Sequence, residues 1–189
     1  MKALAIPLAL LVLAAGCATP YRQGRTALGQ GRYLDAIASF EQALRDEPGR
    51  VSALVGLGIS RYELGYVDDA IGPLEQAVSR EPRNDEARLY LGLAFLRKGD
   101  VARAGEHLAA YRDLPHYPRV TAQIDRALAL LNDQHPLSEP TRDYVAASLE
   151  DAAHLEERLS QAERAQGLYA PPYGRPLQCY ATRHGPVCF

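Results

Sequence analysis

The side chains that could perform chemistry in this chain are few and scattered. Five histidines occur, at His107, His116, His135, His154 and His184. The sequence after His154 reads Leu-Glu-Glu-Arg, so the second histidine of a zinc-protease helix is missing. No Gly-x-Ser-x-Gly nucleophile motif and no phosphate-binding loop occurs. We therefore expect no catalytic residues, no cofactor and no small-molecule substrate.

The densest group of reactive side chains lies near the C-terminal end. Cys179, His184 and Cys188 form a Cys-x4-His-x3-Cys set. One interpretation is a structural zinc site, but such sites take four ligands and no fourth is nearby. The other is a disulfide between the two cysteines, which persists only in an oxidising compartment. The choice depends on where the chain is located.

The N-terminus indicates export. Residues 1–17 read MKALAIPLALLVLAAGC, in which Lys2 precedes an apolar run and small residues lead to Cys17. This pattern is typical of a secretory signal and is too short for a spanning helix. The ending Leu-Ala-Ala-Gly-Cys resembles a bacterial lipobox, in which the cysteine receives a diacylglycerol. The resemblance implies removal of residues 1–16 and lipidation of Cys17. The alternative is an ordinary signal peptide that happens to carry a cysteine.

Lipidation would place the chain in a bacterial envelope. Ala18 follows the cysteine where retention at the inner membrane often uses aspartate, so the resemblance implies an outer-membrane anchor facing the periplasm. An exported chain meets oxidising conditions, and we therefore favour a Cys179–Cys188 disulfide without a metal. Residues 169–189 are rich in proline and tyrosine, and we expect a small disulfide-closed hairpin at their end.

Between these ends the chain repeats itself every 34 residues. The matching columns are Gly24/Gly58/Gly92, Gly31/Gly65/Gly99, Tyr33/Val67/Val101, Ala36/Ala70/Ala104 and Phe40/Leu74/Leu108. Self-similarity at this period predicts stacked helical hairpins. The first glycine column and the alanine column let two helices approach closely, and the large apolar column fills the remaining gap.

Spacing and residue types resemble the tetratricopeptide repeat. In the central copy the family pattern falls on Leu54, Leu57, Gly58, Ala70, Leu74, Ala77 and Pro82. Two positions depart from it, because Leu54 replaces a large aromatic residue and Arg61 replaces a tyrosine. The resemblance covers about Cys17 to Pro118, in three copies. It implies an all-α solenoid of helical hairpins.

We expect three further parts after the repeats, which are a capping helix, a C-terminal helix and a tail. Residues 17–135 form the repeat domain, closed by a capping helix near 119–132 whose apolar residues share one face. Residues 136–168 form a further C-terminal helix, which either packs on the repeats or offers a coiled-coil seam to a partner or to a second copy of the chain. The seam residues are Ala152, Leu155, Leu159 and Ala162. We favour the packed interpretation because the seam is short. Residues 169–189 form the tail.

The resemblance also implies a concave surface lined mainly by the first helix of each hairpin. Its predicted partner-binding residues are Tyr21, Arg25, Val55, Ile59, Tyr62, Leu89, Leu93 and Leu96. They are mostly apolar, and the basic clamp with which some family members hold a C-terminal carboxylate is absent. Two alternatives follow. The surface is an open groove for a protein or peptide partner, or the later helices of the chain fill it.

Charge restricts the partners further. The formal net charge is −2, and no block of basic residues occurs, which argues against nucleic acid. We therefore expect a non-enzymatic, lipid-anchored envelope scaffold that binds a protein or peptide and helps to assemble a membrane or secretion complex. The alternatives are an accessory subunit of a peptidoglycan enzyme, a weak catalyst that uses His184 and nearby tyrosines, and a purely structural lipoprotein.

Overall fold

The computed structural model describes residues 19–133, 135–165, 179–182 and 185–188. These residues form helices and two short strands: α1 Pro20–Gly29, α2 Tyr33–Asp46, α3 Val51–Glu63, α4 Val67–Arg80, α5 Asp85–Lys98, α6 Val101–Arg112, α7 Pro118–Leu131, α8 Glu139–Ala165, β1 Cys179–Thr182 and β2 Gly185–Cys188. The predictions for Cys17 and for the signal sequence lie outside the described residues, as does His184. No helix in the described ranges is long and apolar enough to cross a membrane.

Each predicted hairpin is present, and the second glycine column closes its turn. Gly31, Gly65 and Gly99 have φ values of 69°, 80° and 88°, a left-handed conformation that residues with a side chain rarely adopt. The residue after each glycine donates its backbone N–H to the preceding helix, as Tyr66 does to the Arg61 carbonyl at 2.9 Å. This pattern satisfies carbonyls at the helix end. The next helix starts at once, at the Tyr33/Val67/Val101 column.

The other three columns form the contact between paired helices. The alanines at 36, 70 and 104 and the large side chains of Phe40, Leu74 and Leu108 are all fully buried. A Cβ atom on Gly24, Gly58 or Gly92 would lie 2.8, 2.5 or 2.8 Å from the facing large side chain. The predicted roles of these columns are confirmed, because only glycine leaves room for the large partner.

The two linkers between repeats also have the same backbone hydrogen bonds. Glu47 donates its N–H to the Ala43 carbonyl at 2.9 Å, and Glu81 donates to Ala77 at 2.9 Å. Three residues further on, Arg50 donates to the Glu47 carbonyl, as Asn84 does to Glu81. A proline follows each glutamate and prevents the helix from continuing.

The chain divides into two compact units, one ending at Tyr90 and one beginning at Leu91. In the first unit Phe40 is central to the core, and the buried residues around it come from α1, α2 and α3. They are Ala27, Ala36, Ala43, Ala53 and Leu57. The predicted limits of the repeat domain, the C-terminal helix and the tail stay predictions.

In the second unit α7 packs between α6 and α8. It buries the predicted face of the capping helix, which is Val120, Ile124, Ala127, Leu128 and Leu131. Helix α8 buries Val145, Ala146 and Leu149, all in its first half. The tail strands β1 and β2 pair antiparallel, with Cys179 directly opposite Cys188.

Candidate partner-binding surface

Helix α1 carries the accessible part of the predicted surface. Thr19 caps this helix, and Pro20 occupies its first turn, where a missing N–H costs nothing. Tyr21 is half-buried, with its ring 6.1 Å from that of Phe40 and the Arg50 guanidinium 4.0 Å above it. Arg25, one turn further along, is exposed. A partner could therefore contact Arg25 and the edge of Tyr21 without any rearrangement.

The α3 members of the predicted surface are buried. Val55, Ile59 and Tyr62 are only 2%, 7% and 1% exposed. Helix α3 contacts α1, α2 and α4, so little of its circumference is left for a partner. The cause is visible in the sequence, because every residue from 53 to 60 is small or apolar, and a helix that is apolar all round is buried.

The α5 members are buried as well. Leu89 in the first unit is 4% exposed, and Leu93 and Leu96 in the second are 0% exposed. In the second unit α8 lies beside α5, where Glu150 accepts a hydrogen bond from Arg97 at 2.9 Å. Burial of these leucines is what the filled-surface alternative predicts. The partner-binding role of the eight predicted residues stays a prediction.

The first unit contains a group of tyrosines around Glu63 that sequence reasoning missed. The Glu63 carboxylate accepts a hydrogen bond from the Tyr33 hydroxyl and lies 3.5 Å from the Tyr90 hydroxyl. The Tyr90 ring also meets the Tyr62 ring edge-on at 5.4 Å. Burial, together with the charge and the hydrogen bond of Glu63, raises the pKa of Tyr33. The phenol therefore stays neutral and acts as a donor that joins α2 to α3.

A second polar group joins α8 to the α6–α7 linker in the second unit. His116 Nδ1 lies 3.1 Å from Glu156 Oε2, and His116 Nε2 lies 2.7 Å from the Tyr111 carbonyl oxygen. The backbone N–H of Tyr117 donates to Glu156 at 3.2 Å, and its hydroxyl donates to Glu163. The partners are about 40 residues apart in sequence, so no local pattern indicates this group.

The repeats identified above match a known family. A tetratricopeptide-repeat profile matches residues 21–78 and 57–118, together more than half of the chain. The chain belongs to the tetratricopeptide-repeat family. No curated protein sequence shows significant similarity to it.

Solved structures show the same fold for the tetratricopeptide-repeat region. The type III secretion translocator chaperone SycD of Yersinia enterocolitica superposes with a TM-score of 0.55 at 19% identity, over 59% of this chain and 80% of that one. An alternative dimer of the same chaperone gives a TM-score of 0.54 at 20% identity, over 59% of this chain and 88% of that one. At this identity the likeness concerns the fold.

Tetratricopeptide-repeat folds are typically non-enzymatic modules for protein interaction. In the described ranges no group of three or more His, Cys, Asp or Glu side chains is arranged to hold a metal ion. The polar groups described above pair a tyrosine, an arginine or a histidine with a carboxylate, and they join neighbouring helices or linkers.

Proposed function

We propose that this chain is a lipid-anchored scaffold of the bacterial envelope that binds a protein or peptide partner during assembly of a membrane or secretion complex. The observation that carries the proposal is the match to the tetratricopeptide-repeat family, together with the helical hairpins that the repeats form. A fold shared with a secretion chaperone supports the choice of partner class. The lipid anchor, the outer-membrane location and the type of complex rest on the lipobox resemblance and on that likeness.

The anchor has a structural consequence for the first unit. Helix α1 begins at Pro20, three residues after Cys17, so a lipid on this cysteine would hold α1 close to the membrane surface. Cys17→Ser should move the protein from the salt-washed membrane pellet to the soluble periplasmic fraction. Ala18→Ser is the matched control and should stay in the pellet. A Cys17→Ser protein that remains membrane-bound would show that the lipid is not the anchor.

Partner binding is tested best at the accessible end of the predicted surface. Arg25→Glu reverses an exposed charge on α1, and Arg22→Glu makes the same change at another exposed position of that helix. Captured from detergent-solubilised envelope, the wild type and Arg22→Glu should retain a stoichiometric protein partner that Arg25→Glu loses. Equal retention by both variants would place binding elsewhere. Co-purified peptidoglycan hydrolase activity would favour the role as an accessory subunit.

The buried members of the surface distinguish an open groove from a filled one. Ile59→Asp and Leu93→Asp each put a charge among apolar neighbours, so both should unfold the protein if the helices stay packed as described. Their melting curves should lose the cooperative transition of the wild type. Variants that fold normally but lose the partner would show that the groove opens.

A further inference from the structure

The two halves of α8 are held in different ways. Val145, Ala146 and Leu149 in the first half are 3%, 0% and 2% exposed. From Glu150 to Ala165, which we term the strap, no residue is buried. The first half therefore gains the free energy of apolar burial, whereas the strap must be held mainly by polar contacts.

Those polar contacts come from three carboxylates of the strap. Glu150 accepts from Arg97 on α5 at 2.9 Å, and Glu163 accepts from the Tyr117 hydroxyl. Glu156 lies between them and binds both the backbone N–H of Tyr117 and the ring of His116. The His116 contact is less exposed than the Arg97 contact, because the side chains of His116 and Glu156 are 4% and 18% exposed, against 29% and 18% for Arg97 and Glu150.

The partners of His116 fix its protonation state. Nε2 faces a backbone carbonyl, and Nδ1 faces a carboxylate, and neither group can donate a proton when the carboxylate is ionised. Both ring nitrogens must then carry protons, so the ring is an imidazolium.

Loss of one ring proton from His116 breaks the arrangement. A neutral imidazole has one N–H, so one ring nitrogen would turn a lone pair toward an oxygen at 2.7 or 3.1 Å. Among the described contacts, the titratable groups that meet the ring are Glu156 of α8, which faces Nδ1, and Tyr111 of α6, whose ring centroid lies 4.2 Å from that of His116. The Glu156 carboxylate favours the charged ring.

We propose that the strap is a proton-dependent latch, closed while both ring nitrogens of His116 carry protons and loosened when one of these protons passes to solvent. Loosening leaves the first half of α8 in place, because its apolar residues do not titrate. The proposal is independent of the lipid anchor and of the partner.

Hydrogen–deuterium exchange on the full-length chain in detergent micelles tests the latch. Protection factors, each corrected for the intrinsic exchange rate, are compared at about pH 6 and about pH 9 on either side of ordinary histidine titration. Strap peptides should lose about tenfold or more of their protection at the higher pH, as expected for loss of a charged hydrogen bond. Peptides from 139–149 should change little. Equal strap protection at both pH values would overturn the proposal.

A neutral isostere separates the latch from a merely structural role. In Glu156→Gln the amide can donate to a neutral Nδ1 while Nε2–H still reaches the Tyr111 carbonyl, so the strap should stay protected at the higher pH. Glu157→Gln makes the same change in charge at the adjacent exposed residue and should keep the wild-type pH response. A Glu156→Gln protein that still loses protection would refute the mechanism.

Discussion

Arg61 supplies the hydrogen bond that Pro73 cannot. Pro73 lies inside α4 and has no N–H, so the carbonyl of Asp69, four residues earlier, lacks its helical donor. The guanidinium of Arg61 on α3 donates to that carbonyl at 3.1 Å, and its other nitrogen binds Glu41 of α2 at 2.9 Å. The departure from tyrosine at position 61 therefore accompanies a second departure, a proline in the facing helix.

A double-mutant cycle measures this compensation. Arg61→Met should lower the free energy of unfolding by about 1–3 kcal/mol, because the Asp69 carbonyl loses its donor. Pro73→Ala restores the helical N–H, so in that background Arg61→Met should cost clearly less. Urea unfolding of the four proteins gives the coupling energy, and the loss of the Glu41 contact cancels in it. Additive effects would show that the Arg61 hydrogen bond does not compensate for the N–H that Pro73 lacks.

Gly58 should be intolerant of even one methyl group. A Cβ at this position would lie 2.5 Å from Leu74 Cγ, so Gly58→Ala should lower the free energy of unfolding by about 1–3 kcal/mol through overpacking. Gly105 in α6 is the matched control, because, beyond its chain neighbours and the backbone of its own helix, no atom lies within 4 Å of its Cβ position. Gly105→Ala should raise stability by about 0.5–1 kcal/mol. Similar effects from both changes, measured by urea unfolding, would contradict the assigned packing.

Asp100 should make α6 sensitive to acid. Hydrogen bonds from the side chain and backbone of Arg103 hold the pKa of Asp100 below its ordinary value of 3.8. The resulting stability is present above that value and is lost as the pH falls through the lower folded pKa. Asp100→Asn keeps an N-cap acceptor but removes the titration.

Urea unfolding of wild type and Asp100→Asn at about pH 6 and about pH 2.5 checks this expectation. At about pH 6 the wild type should be more stable than Asp100→Asn. The difference between their free energies of unfolding should shrink at about pH 2.5. Asp151→Asn makes the same change at an exposed carboxyl of α8 and controls for general loss of charge. A difference that is constant with pH would exclude the titration of Asp100 as its source.

The tail cysteines should form a disulfide. The strand register puts Cys179 and Cys188 opposite each other, and opposed Cα atoms are about 4.5–5.5 Å apart, which a disulfide spans. Closing this short loop should stabilise the tail by about 2–3 kcal/mol. Peptide mapping by mass spectrometry of unreduced, exported protein should find the linked pair, with Cys179→Ser as the control. Free thiols, or zinc removed by a chelator, would contradict the assignment.

The sequence was sufficient to predict the hairpins because each column has a local cause. The turn after α3 requires a left-handed backbone conformation, which glycine adopts readily, so Gly65 indicates where the helix ends. Gly58 and Leu74 have complementary volumes on adjacent helices, since the missing side chain of one leaves room for the other. The face of α7 follows from helical periodicity alone. In each case the partners lie within one repeat or one helix, so that spacing along the chain indicates the contact.

The surface could not be predicted in the same way. Whether Leu93 faces a partner or another part of the chain depends on which helices pack against α5, and no periodicity indicates them. The contact of His116 with Glu156 joins positions 40 residues apart outside the repeats. The role of Arg61 could be predicted only in part. A proline inside a predicted helix leaves one carbonyl without its helical donor, but the sequence does not indicate which side chain replaces that donor.

The matching linkers at Glu47–Arg50 and Glu81–Asn84 bear on how such a gene can change. Because both linkers have the same backbone hydrogen bonds, a duplicated or deleted segment of 34 codons would join ends of compatible geometry. A change of one codon inside a hairpin would instead move the glycine column off its large apolar partner. Recombination can thus alter the copy number in whole units, while smaller insertions within a hairpin are selected against.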